Sequence, residues 1–133
     1  MMKTILLMMI AVCLITSCKK SGSVNPEFFG KWELSRTYGG YGGLDSTYAA
    51  GNGTVFQFNS DSTYKHFTKN KLDAQGAFHI KIYNNPTQNT IANKMIFFGN
   101  DTVGTPIYPT TAKLTIGTTA ADGLASDYVK IQN

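Results

Sequence analysis

Beyond residue 27 the chain alternates apolar and polar residues with a period of two. Ala77-Phe78-His79-Ile80-Lys81-Ile82-Tyr83 places Phe78, Ile80 and Ile82 on one face, and Asn84-Asn85-Pro86 stops the run. Successive side chains of an extended chain point to opposite faces, so alternation marks a half-buried strand. Thr54-Val55-Phe56-Gln57-Phe58 repeats the pattern ahead of the turn-forming Asn59-Ser60-Asp61-Ser62. Thr63–Thr68, Lys94–Phe98, Ala112–Ile116 and Asp127–Ile131 come next, each bounded by Gly, Asn, Asp or Pro. With Phe29–Tyr38 these make seven strands, and an eighth is expected at Thr105–Pro109. No segment after residue 27 keeps a helical stripe for three turns.

The fold class is therefore all-β and antiparallel. About eight short strands in sequence can close their edges as an up-and-down barrel. A two-sheet sandwich is the alternative that the pattern leaves open. Either must stand on core burial alone. The two cysteines, Cys13 and Cys18, both precede the domain, so it has no disulfide, thiol nucleophile or cysteine metal ligand.

The N-terminus is a different kind of sequence. Lys3 is followed by Ile5–Ile15, a run without a charged or strongly polar residue. It is about half the ~20 residues a membrane-spanning helix needs, and fits the apolar core of a secretory signal. Ile15-Thr16-Ser17-Cys18 resembles the lipobox of bacterial lipoproteins. That resemblance implies diacylglycerol on the Cys18 thiol, cleavage just before Cys18, and acylation of the new amine by a palmitate-type chain. Several acyl chains would make the membrane anchor effectively permanent. A plain secretory signal with an incidental cysteine is the alternative. The organisation expected is thus a cleaved signal over 1–17, a lipidated tether over 18–26, and one domain over 27–133. Lys19 follows the cysteine where sorting by an Asp would retain a lipoprotein at the inner membrane, so the outer membrane is expected, in either leaflet.

After cleavage eleven Lys/Arg face eight Asp/Glu, spread singly apart from Lys19-Lys20. A nucleic-acid binder carries a clustered basic patch, and none is present here. No G-x-S-x-G elbow, H-E-x-x-H, C-x-x-C or phosphate loop is found, so neither an enzyme nor a cofactor is expected. Gly40-Tyr41-Gly42-Gly43 and Gly51-Asn52-Gly53 complete no nucleotide fingerprint, and no helix comes after them.

Gly30-Lys31-Trp32 matches the G-x-W motif on the first strand of lipocalins. The run GKWEL, a glycine-rich loop, GTVFQFNSDSTY and a closing Tyr128-Val129-Lys130 resemble the lipocalin-like domain of small Gram-negative lipoproteins. The second lipocalin signature is missing, so the resemblance is to that broader group. It implies a barrel plugged at one end by a buried Trp32, with a basic side chain over its ring. Lys130 is the partner the resemblance prefers, and Arg36 is the other candidate. Strand parity argues against Lys130: pairing Leu114 and Ile116 with Val129 and Ile131 would turn it to the opposite face.

The same resemblance implies a small hydrophobic ligand in the barrel. If one binds, the length and glycine-rich composition of the 39–53 loop make it the expected lid, with Tyr41 and Tyr48 to stack on the ligand. A disordered loop is the plain alternative. A ligand-free envelope module that contacts a protein through an exposed aromatic patch is the second function expected. The first needs an interior cavity, and the second a closed core. Finally, a hairpin turning near Asp73 would set Phe67 opposite Phe78 and His66 opposite His79. Two facing imidazoles are a weak metal-site candidate. Their plain reading is two polar residues on the solvent side of a hairpin.

Overall fold

The computed structural model describes residues 25–83 and 93–132. The segment expected to be a signal, Cys18 and the expected tether up to residue 24 lie outside these residues. Nine strands form one antiparallel sheet: β1 Gly30–Gly39, β2 Leu44–Thr47, β3 Val55–Phe58, β4 Thr63–Thr68, β5 Lys71–Ile82, β6 Lys94–Phe98, β7 Thr105–Pro109, β8 Lys113–Gly117 and β9 Leu124–Ile131. Chain-order neighbours pair from β3 through β9, β3 pairs with β1, and β1 closes on β9. This is a closed eight-stranded up-and-down barrel, with β2 added outside the ring of eight. The sandwich is excluded, because both edges of a sandwich would stay unpaired where β1 and β9 here share eight residue pairs.

The barrel has a plugged end and an open end. A 3₁₀ turn, Pro26–Phe28, crosses the plugged end ahead of β1. Asn25 starts it by accepting the Glu27 amide, and Pro26 sits at the first position, where a missing N–H costs nothing. The turn drives Phe28 into the barrel, where its ring lies 4.6 Å from Phe58 and 5.9 Å from Phe78. Trp32 is wholly buried beside it, and its indole Nε1 donates to the Phe28 carbonyl at 2.8 Å. Ile96, Ile107 and Leu114 complete this buried layer from the far wall.

Lys130 stands directly opposite Trp32 in the β1–β9 ladder. Its ammonium lies 5.1 Å from the indole centroid and donates to the Glu27 carbonyl, tying the plug turn to the last strand. The parity objection fails because β8 and β9 pair Leu114 with Tyr128 and Lys113 with Val129. Val129 is thus the outward residue, and Lys130 faces the same side as Trp32. Arg36 serves elsewhere, over the Tyr38 ring and in a two-bond pair with Asp45 on β2.

Three elements differ from expectation, the first being β2, which lies inside the 39–53 stretch expected to be a loop. The segment between Thr68 and Ala77 is not a loop. Lys69 and Asn70 both take left-handed φ, 50° and 65°, which makes a two-residue hairpin turn and starts β5 at Lys71. Likewise β9 begins at Leu124, ahead of the Asp127 start that the alternation implies.

Replacing Trp32 by Ala should cost about 3–5 kcal/mol of unfolding free energy, since it empties the largest buried volume of the plug. Lys130→Ala should cost only about 1–2 kcal/mol, from one cation–π contact and one hydrogen bond. Urea unfolding of the two variants checks both values, and a Trp32→Ala loss below that of Lys130→Ala would contradict the plug.

Candidate functional site

Burial along the inner wall is asymmetric. At the plugged end Phe28, Trp32, Phe58, Ile96, Ile107 and Leu114 are all at most 2% exposed. Towards the open end Leu34, Phe56, Tyr64, Phe98 and Ile116 are apolar, inward and only half-buried. Their rings touch across the barrel: Phe56 lies 5.7 Å from Phe98 and 5.5 Å from Tyr128, and Tyr64 lies 4.7 Å from Phe98. The mid-section is therefore packed with aromatic rings. The cavity bounded by Phe28, Ile80 and Ile107 has a volume of about 30 Å³, room for one water. Above this ring layer the inner wall stays partly open to solvent, and this open end is the cup.

His66 is one polar group of that cup; Thr37 and Ser126, whose hydroxyls lie 3.1 Å apart, face inward from β1 and β9 as well. It pairs with Phe56 across β3–β4, so its imidazole faces inward, 4.2 Å from the Phe56 ring. Its Nδ1 is 2.7 Å from Asp73 Oδ1, and Thr68 Oγ1 donates to the other oxygen of that carboxylate. Asp73 can reach both because it is the extra residue of a bulge. The ladder pairs His66 with Ala74 and Phe67 with Leu72, leaving Asp73 unopposed. The Thr68 hydroxyl first, and then the His66 hydrogen bond, hold its carboxyl below the usual aspartate range against the opposing effect of burial.

The facing histidine pair does not exist. Residues opposed on β4 and β5 sum to 140 beyond the bulge, not 145, because the chain turns at Lys69-Asn70 rather than near Asp73. His66 lies inside, opposite Ala74. His79 lies outside on β5, stacked on Phe97 at 4.7 Å and opposite it on β6. Phe67 and Phe78 fall on opposite faces for the same reason. Among the described residues no group of three or more His, Cys, Asp or Glu side chains is placed to hold a metal.

The 39–53 segment, read as either a lid or a disordered loop, is a built structure. Its first half is the β1–β2 hairpin, with Tyr41 at the tip and 96% exposed. Its second half is tied down by Glu33, a buried outward carboxylate that accepts the amides of Gly51 at 2.9 Å and Gly53 at 3.1 Å. Asn52 adds bonds to the carbonyls of Leu34 and Ala49. Tyr48 is part-exposed and near enough to Tyr128 to affect its ionisation, whereas Tyr41 makes no described contact with the cup. Glu33 and Asp73 were invisible as site residues in the sequence. The amides of Gly51-Asn52-Gly53 advertise an acceptor, but only the register of β1 names it.

Rim residues share one property. Tyr41, Leu44, Tyr48, Leu72, Val103 and Leu124 are all large, apolar or aromatic, and at least 40% exposed. Each lies on a loop or strand end on the open side of the barrel. Leu72, opposite Phe67, faces the outer wall, whereas Tyr41, Leu44, Val103 and Leu124 add exposed apolar surface at this end.

Burial pushes the Tyr128 phenol up from 10.0 to about 12. A group whose folded pKa is raised contributes stability that is complete below the unfolded value and lost as pH rises through the folded one. Unfolding free energy should therefore fall between about pH 10 and pH 12, by on the order of 2 kcal/mol for this group. Tyr128→Phe should flatten that part of the decline; equal slopes in urea titrations of the two proteins would show that Tyr128 ionises freely.

No family model, curated protein or solved structure matches this chain.

Proposed function

We propose that this chain is a lipid-anchored envelope protein, held by an acylated Cys18, whose barrel takes up a small apolar molecule in the cup at its open end. The observation that carries the reading is the burial asymmetry of the inner wall. Ring-lined positions at the plugged end have lost all contact with solvent, and chemically similar positions at the open end have not. An apolar ligand seated over Leu34, Phe56 and Phe98 would remove that remaining surface from water, at about 25 cal/mol per Å². His66, oriented by Asp73, offers such a ligand one polar contact. The packed mid-section restricts it to a shallow seat.

A second reading is supported by the exposed rim. Tyr41, Leu44, Val103 and Leu124 extend the apolar surface well beyond a small ligand, as a protein partner docking on the open end would require. In that case no ligand is needed, and the barrel is an interaction module standing on its lipid anchor.

Native mass spectrometry of protein extracted from its own membrane separates the two. The ligand reading expects a non-covalent small molecule, released on unfolding and lost from a Phe56→Lys variant that stays folded. Protein free of any adduct, in both wild type and variant, would overturn it. The anchor is checked apart from this: Cys18→Ala should leave an uncleaved or soluble product, and a variant still at mature size in the membrane fraction would refute lipidation.

A further inference from the structure

The outer wall of the barrel holds a second concavity, unrelated to the cup. A bulge in β1 at Ser35 brings two rows of outward residues side by side. One row runs Arg36, Asp127, Thr115, Tyr108 across β1, β9, β8 and β7. The row above it runs Tyr38, Ala125, Gly117. Because Ala125 and Gly117 project almost nothing, the wall sinks between Tyr38 and Tyr108 into a slot of about 260 Å³, capped by Thr118 and Thr119. Its volume lies just under the roughly 300 Å³ at which drug-sized pockets begin.

We propose that this slot is a binding site for one neutral sugar ring of a glycan. Its chemistry is that of hydroxyl groups on a stiff frame. Five of its seven lining residues, two tyrosines and three threonines, carry a hydroxyl. Tyr38, one face of which Arg36 covers, and Tyr108 also supply aromatic surface, and an electron-rich ring face suits the C–H face of a pyranose. Beside the slot lies Asp127, a buried outward carboxylate that accepts Thr115 Oγ1 at 2.6 Å and Tyr38 Oη at 3.3 Å. Such an acceptor orients hydroxyl donors, as recognition of a polyol needs.

Charge argues for a neutral ligand. Lys113 Nζ lies 3.6 Å from Asp127, and Arg36 is matched by Asp45, so the four charges around the slot cancel. A cation would compete with Lys113, and an anion would meet Asp127. Rigidity argues for a site rather than a surface dimple. Gly39 and Gly117 let three backbone segments close tightly at its upper end: a Cβ on Gly39 would stand 2.5 Å from the Gly123 carbonyl, and one on Gly117 2.2 Å from that of Leu124. Only glycine allows that approach at φ of 103° and 95°. Beyond them Ala121 and Asp122 both take left-handed φ, 49° and 60°, strain that a loop keeps where its shape matters. A preformed slot loses less freedom on binding.

The test is an amide chemical-shift titration of the full-chain protein with methyl glucopyranoside, methyl galactopyranoside and N-acetylglucosamine. Each is taken to about 20 mM, above the millimolar Kd that one ring in a shallow slot would show. At least one sugar should give saturable shifts confined to residues 38, 108, 115–119 and 125. Tyr108→Ala should weaken that sugar at least about tenfold, and Thr119→Trp, at an exposed position over the slot, should abolish its binding in protein whose amide spectrum shows the barrel still folded. No saturable shift in this patch with any of the three, or shifts at the open-end cup instead, would overturn the slot. So would unchanged affinity in folded Thr119→Trp. None of these outcomes bears on the Cys18 anchor, and absence of binding at the slot leaves the cup untouched.

Discussion

The pairing of β1 with β9 does more than close the barrel, because it contains an irregularity on which both faces depend. Leu34 pairs with Tyr128 and Arg36 with Asp127, so Ser35 is an extra residue, held by its hydroxyl on the Asp127 carbonyl at 3.0 Å. A bulge reverses the in–out parity of every later residue in its strand. Below Ser35, Trp32 and Leu34 point inward and fill the barrel. Above it, Arg36 and Tyr38 point outward, although they continue the same alternation in sequence. Without the bulge an arginine and a tyrosine would stand in the upper lumen, and the outer slot would lose one wall.

The upper half of β1 also changes partner. β3 pairs with it only as far as Glu33, and β2 takes over from Arg36 to Gly39. This leaves a notch in the wall at Leu34, which the 48–53 segment covers. Glu33 holds that segment through two glycine amides, a charge-assisted arrangement of the stronger kind. A single turn of chain thus replaces the continuous strand found elsewhere in the barrel. It also explains how a glycine-rich stretch can be ordered: its amides have an acceptor.

At the two ends the same materials give opposite results. The plug turn brings Phe28 over Trp32 and lets Lys130 and the indole nitrogen bond to its carbonyls, so the polar groups of both side chains are matched. No equivalent segment crosses the open end among the described residues. The aromatic layer of Phe56, Tyr64 and Phe98 stays partly wet, and His66 faces it from the one wall where a bulge supplies a carboxylate to hold the ring. Both bulges, at Ser35 and Asp73, sit in the upper part of the barrel, and each re-aims a polar residue.

By itself the sequence determined the class of fold and most of its strands, because the two-residue period and the Gly, Asn, Asp and Pro breaks are local properties. Thr63–Thr68, Lys94–Phe98 and Thr105–Pro109 have the boundaries that the alternation implies. Trp32 is among the most deeply buried residues, where a G-x-W pattern implied a plug, and Lys130 covers it. Tertiary structure alone decided what depends on register. Parity within one strand says nothing about which residue of the next strand stands opposite, and a single bulge or an unforeseen two-residue turn shifts every later pair. That is why His66 and His79 parted to opposite faces, why Lys130 faced inward against its apparent parity, and why Asp73 and Glu33 acquired partners that no spacing in the chain could name.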